Sequence, residues 1–371
     1  MFIGICGSIC AGKRTIARYL VGHHGFTQLY LESRSRDTTE NAVEGPASND
    51  SSPSNRHQVF STPGELVNFI TKRWQGRWVT TDIPDEDVLD MYMRRPFFLL
   101  ISVDAPLTVR WQRFQARQNH QRTLAAAAKS ITTGSETPPT HTLDASTNIN
   151  NTVTTLDSFV ALSDAQLYDP LAGLNPLMSR ATVRLLNTSS DLAHLYANLG
   201  KLDLLNPDRL RPSWDSYFMA LASLAAQRSN CMKRRVGCVV VRDKRVVSTG
   251  YNGTPRGMLN CGEGGCGRCN AAQGSGHGLA TCLCIHAEEN ALLEAGRERV
   301  REGAVLYCDT CPCLTCSIKI VQVGISEVVY SQGYSMDGET AAVFREAGVR
   351  LRQFVPPANG LIHLEKPELY R

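Results

Sequence analysis

The chain has 371 residues, enough for two domains of ordinary size, and its 42% hydrophobic and 20% charged residues are those of a water-soluble globular protein. Its net charge of +4 is carried by residues 206–371 and is too mild for a protein held to a polynucleotide through many phosphates. No apolar run is long enough to span a bilayer, which argues against a membrane protein.

The N-terminus lacks the basic start of a secretory signal, which points to a cytoplasmic or nuclear location where thiols stay reduced. Eleven of the 13 cysteines lie between Cys231 and Cys316, favouring metal chemistry over disulfides. In chain order, Phe2–Cys6 reads as a buried strand that runs into Gly7-Ser8-Ile9-Cys10-Ala11-Gly12-Lys13-Arg14-Thr15 and a helical pattern. Strand, glycine-rich loop, Gly-Lys and helix is the order of a phosphate-binding loop, whose backbone N–H groups surround the anion. Gly7, Gly12, Lys13 and Thr15 are its candidate residues, with Arg14 standing where a hydroxyl residue would directly follow the lysine.

Trp78–Asp82 and Pro96–Pro106 read as further strands, and Thr108–Arg117 as a helix carrying Arg110, Arg113 and Arg117. Together these pieces resemble a P-loop domain of the nucleoside-monophosphate-kinase or dephospho-CoA-kinase kind. A loop that no longer transfers phosphate is the alternative. Ser33–Thr62 and Lys129–Thr155 are polar, lack apolar periodicity and read as disordered insertions. Leu156–Leu199 returns to a helical pattern, and a boundary near Asn206–Pro212 gives an N-terminal domain of 1–205 and a second of 206–371.

In the second domain Ser213 caps a helix whose Trp214, Tyr217, Phe218, Leu221 and Leu224 recur at three- and four-residue steps. Val236–Val241 and Arg245–Tyr251 form a hairpin. A helix ended by Gly296, a strand Ala304–Asp309 and a helix begun by Pro312 follow, then Glu327–Tyr330, Gly338–Ala347 and Val349–Phe354. The order αββαβαβαβ predicts an α/β fold with three layers: a five-stranded sheet covered on both faces.

Chemistry concentrates in two motifs, His286-Ala287-Glu288 and Pro312-Cys313-Leu314-Thr315-Cys316. One imidazole and two thiolates supply three zinc ligands and leave a fourth position for water, whose pKa falls to about 7. Glu288 is then the carboxylate that moves protons. Cys-x-x-Cys alone also suits a redox pair or a plain zinc knuckle; joined to His-x-Glu it matches the signature of zinc nucleobase deaminases. Cys261, Cys266 and Cys269, in a glycine-rich loop just upstream, read as a second zinc site. Cys282 is its fourth ligand in this reading, with Cys284 or His277 as alternatives; a flexible reduced loop is the bland reading.

Residues 211–354 resemble the deoxycytidylate (dCMP) deaminase family of the cytidine deaminase superfamily. The fragments that carry the resemblance are Met232–Gly237, Gly250–Gly257, His286–Leu292 and Asp309–Cys316. It implies hydrolysis of dCMP to dUMP and ammonia, zinc on His286, Cys313 and Cys316, a proton shuttle at Glu288, and a nucleotide contact at Asn252. It also implies a hexamer activated by dCTP and inhibited by dTTP. Arg256, able to meet phosphate in bidentate fashion, and Tyr334 are the candidate phosphate contacts. The competing readings are a zinc deaminase acting on a base in RNA and a nucleotide-binding or kinase role for the N-terminal domain.

Overall fold

A computed structural model describes residues 1–32, 57–131, 155–189, 191–271, 274, 277–333 and 337–364. The chain forms two units, Met1–Leu210 with Ala358–Arg371, and Arg211–Pro357.

The first unit is built on a seven-stranded sheet in the order β12-β6-β5-β1-β4-β2-β3. Its strands are β1 (Phe2–Gly7), β2 (Thr27–Leu31), β3 (His57–Phe60), β4 (Trp78–Thr80), β5 (Phe98–Asp104), β6 (Val183–Leu186) and β12 (Gly360–His363). Every pairing is parallel. Parallel sheets are covered on both faces, and β1 is accordingly buried at all its positions. Its residues alternate between two cores. Ile3 and Ile5 pack with Ile16 and Leu20, while Phe2 and Cys6 pack with Leu66, Ile70 and Tyr92.

The loop after β1 turns on Gly7 (φ 144°) and Gly12 (φ 110°), and Gly12 caps the helix Lys13–His24. A Cβ at Gly12 would lie 2.6 Å from Asn187 Nδ2, the amide that donates to the Ala11 carbonyl at 2.8 Å. Gly7, Gly12, Lys13 and Thr15 thus share one loop and first helical turn. Lys13 Nζ donates to the Gly7 and Ser8 carbonyls at 2.7 and 2.8 Å.

Several sequence expectations change in this unit. The boundary falls after Leu210 rather than 205, and the chain end returns to the first sheet: Gly360–His363 pairs with Val183–Leu186. Residues 358–371 are therefore not part of the second domain. Val183–Leu186 is a strand, not part of a continuous helical stretch, because its alternating burial serves a sheet. His57–Phe60 is also a strand, inside the segment 33–62 read as disordered; residues 33–56 lie outside the described residues. Residues 129–131 close the helix Leu107–Ile131, and 132–154 lie outside the described residues.

The second unit carries the five-stranded sheet, ordered β11-β10-β9-β7-β8. Here β7 (Gly237–Arg242) and β8 (Arg245–Tyr251) form the predicted hairpin, followed by β9 (Ala304–Thr310), β10 (Ile325–Gln332) and β11 (Arg350–Gln353). Asp243 (φ 50°) and Lys244 (φ 60°) both adopt left-handed conformations, as a two-residue hairpin turn requires. The helix Trp214–Ala226, capped by Ser213, covers one face: Phe218, Met219 and Ala222 meet Val239, Val241, Tyr307 and Val329. The helices Ala287–Ala295 and Leu314–Gln322 cover the other, where Ala291, Cys316 and Ile320 meet Cys238, Val240, Leu306 and Val328. Two metal-motif helices therefore lie on one face of one sheet.

Candidate active site

The residue before each of these helices carries chemistry instead of a cap. His286 is the N-cap of Ala287–Ala295 and Cys313 that of Leu314–Gln322, and neither side chain makes a capping hydrogen bond. The second helix therefore starts two residues later than Pro312. Both side chains turn toward one point. His286 Nδ1 lies 3.3 Å from the Cys313 sulfur and 3.3 Å from the Cys316 sulfur.

These three donors fit one zinc ion. Zinc bonds of about 2.3 Å to sulfur and about 2.0–2.1 Å to nitrogen set tetrahedral N and S donors roughly 3.5 Å apart. The electrostatics agree. Hydrogen bonding from Cys316, then from His286 and Thr315, lowers the Cys313 thiol to about 3 against the cost of burial. In turn Cys313 raises the His286 imidazole to about 9. Cys313 is thus held as thiolate beside positive charge, reinforced by a helix N-terminus, while Cys313 and burial push the Cys316 thiol up.

Glu288 sits in the first turn after His286 and is only 4% exposed. Burial raises its carboxyl from 4.5 to about 7, with the His286 charge opposing. A carboxyl that titrates near neutrality both takes and releases protons at working pH.

His286, Glu288 and Cys313 line a cavity of about 700 Å³ within this unit. Asn252 lines it too, but most of its amide holds the wall together. Its Oδ1 accepts from Ser229 Oγ at 2.7 Å and Val236 N at 2.8 Å, and its Nδ2 donates to the Arg234 carbonyl at 2.7 Å. Arg256 is exposed and absent from the lining; Tyr334 lies outside the described residues. The cations that do face the cavity are Lys233, Arg234 and Arg268. The run Lys233-Arg234-Arg235 carried this signal in the sequence, whereas Arg268 sits in a loop whose path spacing does not give.

The cysteine-rich loop is gathered, though not as the sequence set it out. Cys261, Cys266, Cys269 and Cys282 do not form one group of four. Instead Cys231, Cys261, Cys269 and Cys284 approach one another, as do Cys266, Cys269, Cys282 and Cys284, all sulfurs within 4.8 Å in each group. Cys231, far upstream, escaped the sequence reading.

Sheet, helix-start donors and buried carboxyl together fit a zinc centre of the nucleobase-deaminase type. Residues 212–332 match the family model described as the cytidine and deoxycytidylate deaminase zinc-binding region. The chain is 45% identical to the deoxycytidylate deaminase of Schizosaccharomyces pombe over 97% of its own length and 99% of that protein. It is 44% identical to the deoxycytidylate deaminase of Saccharomyces cerevisiae over 95% and 96%. It thus belongs to the deoxycytidylate deaminase family, and zinc is its cofactor. A cyanophage S-TIM5 dCMP deaminase solved with dCMP and dUMP is 30% identical, covering 39% of this chain and 98% of that one with a TM-score of 0.32.

Proposed function

We infer that the chain deaminates dCMP hydrolytically, giving dUMP and ammonia and so supplying dUMP for thymidylate synthesis. What carries this is kinship along nearly the whole chain with two deoxycytidylate deaminases, joined to a cavity that holds a zinc donor set and a buried carboxyl. His286, Cys313 and Cys316 would hold the ion, and it would supply the Lewis acidity that makes water nucleophilic at neutral pH. Glu288 takes a proton from the attacking water and delivers it to the ring nitrogen, then takes the second proton from the hydroxyl left on the ring carbon and delivers it to the departing ammonia. Its burial shields those transfers from bulk solvent.

Lys233, Arg234 and Arg268, the cations that line the cavity, read the 5′-phosphate of the nucleotide, and Arg256 lies outside that lining. Asn252 keeps the segment bearing Lys233 and Arg234 in place and retains one amide N–H for the nucleotide. Rates on dCMP, CMP, deoxycytidine and a short RNA test the assignment. Equal use of deoxycytidine and dCMP would overturn it, and turnover of RNA alone would favour the competing deaminase. Activation by dCTP, inhibition by dTTP, a hexameric assembly and a cytoplasmic location belong to the same proposal. They are checked by rate with effector, solution mass and tagged-protein imaging. Among the described residues, no helix is long and apolar enough to cross a membrane.

A second reading concerns the N-terminal unit, whose loop Gly7–Thr15 has the left-handed glycines and the helix start of a phosphate site. In this reading it binds nucleotide phosphate without transferring it, with Lys13 Nζ resting on the Gly7 and Ser8 carbonyls. Phosphoryl transfer from ATP to nucleoside monophosphates would refute the inactive form.

A further inference from the structure

Six cysteines outside the catalytic centre lie together in the second unit: Cys231, Cys261, Cys266, Cys269, Cys282 and Cys284. Cys261, Cys266, Cys269 and Cys284 are buried, Cys231 and Cys282 pack partly buried against them, and none of the six is in a disulfide. Among its described residues, the segment that supplies five of them holds two short 3₁₀ turns and one four-residue helix, Gly267–Asn270. It doubles back so tightly that a Cβ at Gly265 would lie 1.8 Å from the Leu259 carbonyl oxygen. Bare thiols provide too little burial to fix such a loop against its chain entropy.

The sulfur positions have a pattern. The two groups of four share two members, Cys269 and Cys284. The recorded separations are 3.8 Å for Cys231–Cys269, 3.9 Å for Cys266–Cys282, 3.8 Å for Cys269–Cys282 and 3.9 Å for Cys269–Cys284. A tetrahedron with zinc–sulfur bonds of about 2.3 Å has edges of about 3.8 Å. These distances are far too long for disulfides, whose sulfurs are about 2.05 Å apart.

We propose that these six cysteines hold a binuclear zinc cluster in which the thiolates of Cys269 and Cys284 bridge two ions. Cys231 and Cys261 complete one ion and Cys266 and Cys282 the other. The ligand count closes: two tetrahedral ions need eight bonds, and four terminal with two bridging thiolates make eight. Six thiolates leave two negative charges over the two zinc ions, and donors are in place for them. Met232 N donates to Cys261 Sγ at 3.4 Å, Leu283 N to Cys266 Sγ at 3.4 Å, and the Arg268 guanidinium to Cys282 Sγ at 3.8 Å. Cys231, Cys282, Cys284 and Arg268 also line the catalytic cavity, so the cluster braces one of its walls.

Zinc counting on the full-length protein tests it. Wild type is expected to carry three zinc ions per chain and His286→Ala two. X-ray absorption of the His286→Ala protein is expected to show an all-sulfur shell with zinc–zinc scattering. Two ions in wild type, one in His286→Ala and no zinc–zinc scattering would replace the cluster by a mononuclear site and overturn the proposal. Cys266→Ser and Cys231→Ser each touch one ion only and are both expected to lower the count. An unchanged count in either would show that its half of the cluster does not exist. Should these variants fail to fold, the wild-type count and the scattering decide alone.

Discussion

Replacing Glu288 by Gln keeps the volume and polarity of the side chain and removes only its ability to move protons. Glu288 is not one of the three donors, so the zinc content is expected to stay at the wild-type value. The loss of general acid–base transfer is expected to lower kcat/KM for dCMP by about 10²–10⁴-fold, or roughly 3–5 kcal/mol of barrier. The wild-type profile should show an acid limb, because the shuttle works from the ionised carboxylate. That limb lies between the ordinary value of 4.5 and about 7, as burial raises the carboxyl and the bound cation draws it back. Stability carries the opposite sign. A raised pKa means the folded state holds this proton more tightly than the unfolded chain, so the carboxyl's contribution falls as pH rises from 4.5 to about 7. The rise from 4.5 to about 7 corresponds to at most about 3 kcal/mol, less with zinc bound. Glu288→Gln should therefore match wild type in Tm at acid pH and exceed it at pH 8. Retention of more than about a tenth of the wild-type rate, or loss of the catalytic zinc, would remove Glu288 from the mechanism.

The other predictions are as direct. His286→Ala, Cys313→Ser and Cys316→Ser are each expected to lose one zinc and all activity together, because three protein ligands leave no redundancy; normal rate in any of them would refute the donor set. Arg268→Ala should raise KM for dCMP by at least about tenfold and leave the slow deoxycytidine rate alone, a charge-assisted contact being worth about 1.5–3 kcal/mol. Arg256→Ala, outside the cavity, should change neither; a KM effect confined to dCMP would return Arg256 to the phosphate site. Asn252→Ala strips the acceptor from Val236 N and Ser229 Oγ and should cost about 1–3 kcal/mol, read in denaturant unfolding, besides raising KM.

How much of this was visible in the sequence depended on how local each signal was. His286, Cys313 and Cys316 stand in two short motifs at helix starts, and two helices on one face of the sheet bring their donors together. The five-stranded sheet was legible for the same reason: β7, β9 and β10 are apolar runs separated by helices of ordinary length. The first sheet was less so. Val183–Leu186 has four residues and a burial alternation that leucine spacing in the flanking helices obscures, and Gly360–His363 pairs with it from the far end of the chain. Non-local pairing of short strands leaves almost no trace in a single sequence.

The same distinction explains why the residues around the motifs were harder to place than the motifs themselves. Arg256 was attractive because it follows a loop already tied to the nucleotide, yet the loop faces solvent there. Arg268, in a segment without periodicity, comes to the cavity because its neighbours Cys266 and Cys269 are drawn into the sulfur cluster. In such a loop the order of residues fixes little, and metal ligation supplies what apolar burial supplies elsewhere. The cavity wall thus joins two kinds of support. The sheet and its helices hold the zinc donors and Glu288, while the thiolates hold the cation next to them. Chelation that empties the cluster while sparing the catalytic ion should accordingly raise KM for dCMP before it lowers kcat. A fall in kcat at unchanged KM would mean that the loop serves the chemistry and not the phosphate.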